Sequence, residues 1–523
     1  MMVTNSRAWL YPILVGVFVA GIAATLHLGE QHFRDELTAD RTAAGATAVA
    51  GSSATTQPPA SAQPPAAAQT SAPQPSSTAR PAHPPTASPW DVWKTNATHP
   101  LSRLILQILV IVAAARLFGA AVRYFGQPPV IGEIAAGIAL GPSLLGAWMP
   151  GVSAQLFPAN SLGLLQILAQ VGVILFMFVV GLDLDWKAVR NKAHAAVAVS
   201  HVSILFPFLL GVLLAFPLYR EHAPPGVPFQ AFSLFMGIAM SITAFPVLAR
   251  ILEERGLTKT PIGSTAITCA AVDDVTAWTL LAFVVAVVTA GGAWLILGTT
   301  LGMAALFAVV MVWVVRPLLR PILAPRVGQD VFSKERIAVV IGVVFGAALV
   351  TEIIGIHALF GAFFAGAILP ADEDVRRGLR ERLESFSAVF LLPLFFAFTG
   401  LRTQIGLLND GWAWFTCLAI IALATVGKLG GSTLTARLMG LDWNSAFILG
   451  ALMNTRGLME LIALNVGYDL GVITPEMFTA LVLMALLTTS FTGPLVDYAM
   501  NHRHHDPALS SAHPSARSSG GDF

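Results

Sequence analysis

The chain has 523 residues, 55% of them hydrophobic and only 11% charged, with a formal net charge of +1. Soluble domains carry roughly 25% charged residues, so this composition points to a chain immersed in lipid. The near-neutral balance argues against nucleic acid or an acidic macromolecule as partner. Cys269 and Cys417 stand far apart in apolar stretches and indicate neither a disulfide framework nor a metal site.

In chain order, residues 9–28 (WLYPILVGVFVAGIAATLHL) follow Arg7 and read as a signal peptide or an uncleaved anchor; the run is long and lacks a clean A-x-A site, which favours the anchor. This N-terminal unit covers 1–38. Residues 39–98 are dominated by Pro, Ala, Ser and Thr, too poor in large apolar residues to form a core, and are expected to be a disordered tether. From 99 to 500 apolar segments alternate with short polar gaps, each about long enough for a 30 Å hydrocarbon layer. Thirteen are expected, near 102–122, 129–148, 162–182, 193–216, 230–251, 263–289, 292–316, 336–353, 357–371, 386–402, 412–437, 444–467 and 474–498. The fold class is therefore an all-α polytopic membrane protein.

Basic residues give the orientation. Alternate gaps hold Arg123; Lys187, Arg190 and Lys192; Arg250, Arg255 and Lys259; Arg316, Arg320, Arg326, Lys334 and Arg336; Arg376, Arg377, Arg380 and Arg382; and Arg437, whereas the others hold little beyond Arg220 and Arg402. The basic side is read as cytoplasm. The tether is then extracytoplasmic and the tail, 501–523, cytoplasmic. The HRHH run in that tail reads as a solvated basic end at the membrane surface rather than a metal site.

The most costly residues in the apolar region are Asp273 and Asp274, adjacent in ITCAAVDDVTAWTLLAFVVAVV. A charge at the bilayer centre costs about 3 to more than 10 kcal/mol, so such a pair implies an ion or proton site. Adjacent helical residues point about 100° apart, which lets one carboxylate face an ion while the other meets a counter-charge. Lys428, in the apolar LAIIALATVGKLGGSTL, is the obvious cation for one of them. Two segments carry helix-breaking signatures: the fifth, with Ser241, Thr243 and Pro246, and the twelfth, with Asn454, Thr455, Arg456 and Gly457. They occupy corresponding places in two halves separated by an odd number of spans, the mark of inverted repeats with a site where two broken helices cross. Arg456 and Glu460 are four apart and are expected to pair, structurally rather than as ion ligands. Glu133 lies near the start of the second segment and reads as a local cap or pair before an ion-site residue.

The stretches PPVIGEIAAGIALGPSLLG, SITAFPVLARILEERGL, AAVDDVTAW, IGIHALFGAFFAGAILP, PLFFAFTGL and MNTRGLMELIALNVG, in this order, resemble the second monovalent cation:proton antiporter family, which includes Kef-like and Nap-like exchangers. The resemblance covers about 101–500. It implies an ion-binding core of segments four to six and eleven to thirteen (about 193–289 and 412–498). The scaffold would be segments one to three and eight to ten (about 102–182 and 336–402), through which two protomers associate, with the seventh segment as a link. It implies that Asp274 binds the monovalent cation or the proton, that Asp273 precedes it in the motif, and that Lys428 pairs with the first carboxylate and compensates its charge. It also implies elevator-like displacement of the core in a homodimer, in a bacterial inner membrane. No nucleotide-binding gating domain of the Kef-like kind is expected after the membrane region, and no cofactor beyond the transported sodium or potassium and protons. The function expected is secondary active exchange of sodium or potassium for protons, not an enzyme. A gated monovalent cation channel built on the same cavity, and a membrane scaffold or sensor, are the competing readings.

Overall fold

The computed structural model of the chain describes residues 10–51, 90, 93, 96, 99–182, 194–258, 260–290, 293–323, 333–369 and 373–503, and no strand occurs among them. The N-terminal helix α1 (Leu10–Gly51) is followed by α2 (Pro100–Tyr124), α3 (Pro129–Leu140) and α4 (Ala159–Leu182). Next come α5 (His194–His222), the half-helices α6 (Phe229–Ser241) and α7 (Phe245–Glu254), and α8 (Pro261–Ala290). The long helix α9 (Trp294–Leu323) precedes α10 (Lys334–Ile354), α11 (Ala358–Ile368), α12 (Glu373–Phe386) and α13 (Leu392–Arg402). The last are α14 (Gly411–Leu438), the half-helices α15 (Trp443–Met453) and α16 (Leu458–Asp469), and α17 (Pro475–Arg503).

Local chemistry sets many of these ends. Pro100, Pro129, Pro246, Pro261 and Pro475 all stand in a first helical turn, where the missing N–H has no partner to lose. Asp410 and Asp442 cap α14 and α15, accepting from the Ala413 and Ser445 amides at 2.7 and 2.9 Å. Among the described residues, twelve helical spans are long and apolar enough to cross a membrane, α1 and the broken α6–α7 included, and α15 with α16 forms a further span bent by 42°.

Several boundaries depart from the sequence reading. The ninth expected segment, 357–371, is the 11-residue helix α11, about 16 Å long and too short to cross alone. The expected tether starts later than residue 39, because α1 continues to Gly51 through an Ala-rich stretch with strong helix propensity. Residues 52–89 of the tether and 504–523 of the tail lie outside the described residues. The fifth-segment break also lies upstream of Pro246, over Ile242–Ala244. The proline ring excludes the preceding turn and then opens α7 itself.

The packing separates two sets of neighbours. In one, α4 lies against α11 and α13, α3 against α2 and α13, and α10 against α11. In the other, α5 lies against α6, α8 and α14, and α17 against α14, α15 and α16. Helix α9 touches α8 on one side and α10 on the other. Small residues permit the closest crossings: a Cβ on Gly181 of α4 would stand 2.1 Å from the Phe363 carbonyl of α11, and one on Gly366 equally close to that of Phe178.

Helix α1 docks on the second set. Phe18 stacks near Phe206 (5.6 Å), and Phe33, 5% exposed, sits among Phe216, Tyr219 and Phe229. Partner numbers rise together along both helices, so α1 runs parallel to α5. Gln230 donates to Glu30 at 2.8 Å, tying α1 to the first turn of α6.

Candidate functional site

The two broken helices cross at their unwound segments. The Ala244 amide, between α6 and α7, donates to the Thr455 carbonyl, between α15 and α16, at 3.0 Å. Unwound backbone at this depth exposes half-helix ends that need partners. Arg456, fully buried, supplies one set: its guanidinium donates to the Ala239 and Met240 carbonyls at the end of α6 (3.1 and 2.7 Å). The same group pairs with Glu460 at 3.0 Å, and Glu460 stands in the first turn of α16. A cation at a helix C-terminus and an acid at an N-terminus both oppose the macrodipole. The expected pairing is present, and Arg456 in addition caps the carbonyl end of α6. Thr489 of α17 holds the Arg456 backbone, accepting its N–H at 2.9 Å and donating to its carbonyl at 2.8 Å.

Asp273 and Asp274 face different surroundings. Asp273 is wholly buried; Ser200 of α5 donates to its Oδ1 at 2.6 Å, and Thr243 Oγ1 lies 2.6 Å from its Oδ2. Lys428 Nζ stands 3.1 Å from that Oδ2 and donates also to Ser203 (3.0 Å) and to Thr243. Lys428 projects from a π-helical turn, Val426–Gly430, in the middle of α14. Its three ammonium protons are thus accepted by three oxygens, and the Asp273 carboxylate is saturated. Of the two candidates for the Lys428 partner, the geometry selects Asp273.

Asp274 is only 5% exposed and its Oδ1 has no hydrogen-bond partner. It lines a cavity of about 620 Å³ between the two sets of helices, with Pro246, Ala249, Arg250 and Glu253 on one wall and Phe176 and Arg380 on the other. The backbone N–H of Phe245, at the positive end of α7, interacts with its carboxyl. The remaining residues singled out from sequence lie around the crossing. Ser241 donates to Ile238 O at 3.0 Å and Thr455 to Leu452 O at 2.7 Å. Asn454 reaches Thr488 O at 3.5 Å, and its Oδ1 is without a partner. Glu133 is not brought to the cavity; it lies on α3 in the field of Arg116 and Arg123.

Ser200 and Ser203 were missed. The signal was present as two hydroxyls three residues apart in the apolar AVAVSHVSILF, hence on one helical face. Replacing Ser200 with Ala removes a donor from a buried carboxylate and is expected to cost about 1–3 kcal/mol. Thermal unfolding in detergent measures it, and an unchanged midpoint would show that the hydroxyl contributes nothing.

The chain has relatives among known proteins. A family model described as sodium/hydrogen exchanger, transmembrane, matches residues 109–501. The Na(+)/H(+) antiporter NhaS4 of Synechocystis sp. is 46% identical over 400 residues, covering 76% of this chain and 97% of that protein. The Cation/H(+) antiporter 17 of Arabidopsis thaliana is 39% identical over 403 residues, 76% of this chain but 48% of the plant protein, so the chain spans about half the length of that relative. Among solved structures, the sodium proton antiporter MjNhaP1 from Methanocaldococcus jannaschii matches with a TM-score of 0.55 at 14% identity, over 77% of this chain and 100% of that one, a likeness of fold.

Proposed function

Because the chain belongs to the transmembrane sodium/hydrogen exchanger family, we propose that it exchanges sodium or potassium for protons at Asp274, by alternating access. The observation that carries this reading is the contrast between the two carboxylates. Asp273 has every oxygen occupied, whereas Asp274 presents an unpartnered oxygen beside an open cavity. A carboxylate there holds either a proton or a hard monovalent cation but not both. Competition for that one group, with exposure to each face in turn, produces exchange.

The moving body in this reading is α5–α8 with α14–α17, which carries the whole site. The static body is α2–α4 with α10–α13, and α9 joins the two. Two protomers would associate through the static body. Helix α1 would be retained as an anchor travelling with the moving body, since its contacts are with α5 and α6. The distribution of basic residues supports a cavity opening toward the cytoplasm, because Arg250 and Arg380 belong to the basic gaps. It likewise supports an extracytoplasmic tether and a cytoplasmic tail, and the Synechocystis relative supports placing the chain in a bacterial inner membrane.

Proteoliposomes with a preset pH gradient and an entrapped pH dye provide the test. Sodium, potassium and lithium are added in turn. Cation-triggered proton movement is expected, and the cation that triggers it is the substrate. Cation flux with no proton movement would replace exchange with a channel.

A further inference from the structure

Arg402 is one of the few basic residues outside the basic gaps, and the ion site does not use it. It ends α13 and donates to Asp469 Oδ1 at 2.8 Å and to Asn465 Oδ1 at 3.0 Å, both on α16. Its guanidinium also lies over the Phe398 and Tyr468 rings, at 4.4 and 5.1 Å. Further bonds join the same two bodies: Asn465 donates to Thr399 Oγ1 (2.8 Å), Gln166 of α4 to Asp469 Oδ2 (3.3 Å), and the Gln404 amide to Thr479 Oγ1 of α17 (3.0 Å). Asp469 is at the far end of α16 from the helix crossing, whereas the cavity lies beside α7, whose N-terminus is at that crossing. The end bearing Asp469 is therefore bolted by several polar groups; elsewhere Gln127, between α2 and α3, donates to Ser490 O of α17 (3.1 Å), and the cavity beside α7 stands open.

We propose that Arg402, Asp469 and Asn465 form a latch that closes the extracytoplasmic side, and that it must part and reform in each transport cycle. The proposal rests on the reading that the two bodies move against one another. The side chains of Arg402 and Asp469 are 16% and 30% exposed, against 0% for both Lys428 and Asp273. That difference separates the two ion pairs. Opening the Lys428 pair strands charges in a dry interior, whereas Arg402 and Asp469 already touch solvent and exchange their bonds for water as the bodies separate. The Lys428 pair also lies entirely within one body and never has to break. The latch is the only one of the two that couples its charge to the position of the bodies.

Breaking it shifts the equilibrium toward the state in which the cytoplasmic cavity is shut. A single cysteine at Ala249, on the cavity wall, reports this through its labelling rate by a charged, membrane-impermeant maleimide in inside-out vesicles; the native Cys269 and Cys417 are buried. Arg402→Gln and Asp469→Asn are each expected to slow labelling on the order of tenfold. The exchanged pair, Arg402→Asp with Asp469→Arg, is expected to recover much of the loss, and Arg402→Lys to fall between. Unchanged or faster labelling in both single variants, at native thermal stability, would overturn the latch. An Ala249→Cys chain with Arg402 and Asp469 intact whose labelling also ignores saturating sodium and potassium while exchange continues would remove the moving-body reading beneath it. An Ala249→Cys parent that responds to the cation while the latch variants match it defeats the latch alone.

Discussion

Asp274→Asn is expected to abolish cation-triggered proton movement, down to the level of empty vesicles, while leaving the protein folded. Asn preserves the shape of the side chain but binds no proton near neutral pH and offers a cation no net charge. Asp274 Oδ1 accepts no hydrogen bond, so the amide displaces no protein partner and the unfolding midpoint should stay within a few degrees. In the native chain the same competition is expected to set the pH dependence. As pH falls, protons occupy Asp274 and the apparent cation affinity declines in proportion. Flux and thermal unfolding of purified native and variant protein check both halves together. Residual exchange in the variant would move the transporting carboxylate elsewhere, with Asp273 the next to be tested.

Lys428→Gln is expected to act mainly on stability. The substitution leaves the Asp273 carboxylate, 0% exposed, without its cation. Removing one member of a buried pair costs about 3–5 kcal/mol, because the remaining charge has neither water nor a partner. Adding Asp273→Asn should return most of that loss, since Ser200, Ser203 and Thr243 are hydroxyls that bond a neutral amide as well. Unfolding midpoints of the two single variants and the double variant form a cycle whose coupling term measures the pair. Additive effects would mean that the two residues do not depend on each other. Charge moved per cation, recorded on a supported membrane, separates a pair that merely holds α5, α8 and α14 together from one that also carries a proton.

These two results differ because adjacent residues of one helix face opposite environments. The sequence shows that Asp273 and Asp274 are both too costly to be idle, and helical geometry requires them to diverge. The residues alone do not say which of them Lys428 meets, and only the family resemblance points to the first. That choice depends on the π-helical turn at Val426–Gly430 and on the approach of α5, neither of which has a local signature strong enough to read.

The membrane class, the number and order of the apolar segments, the paired helix breaks and the charged residues beside them were legible in the chain. Each follows from a local energy: the cost of an unsatisfied backbone or a charge in hydrocarbon is so large that position along the sequence reveals it. The length of α11, the continuation of α1 to Gly51 and the break upstream of Pro246 depended on smaller balances of propensity and packing. The different surroundings of Asp273 and Asp274, which the residues alone left open and only the family resemblance anticipated, the capping of α6 by Arg456, and the meeting of Arg402 with Asp469 were decided in three dimensions. In each case the partners lie on different helices, tens to hundreds of residues apart, and hydrogen-bond energies act over a few ångströms that no spacing in the sequence encodes.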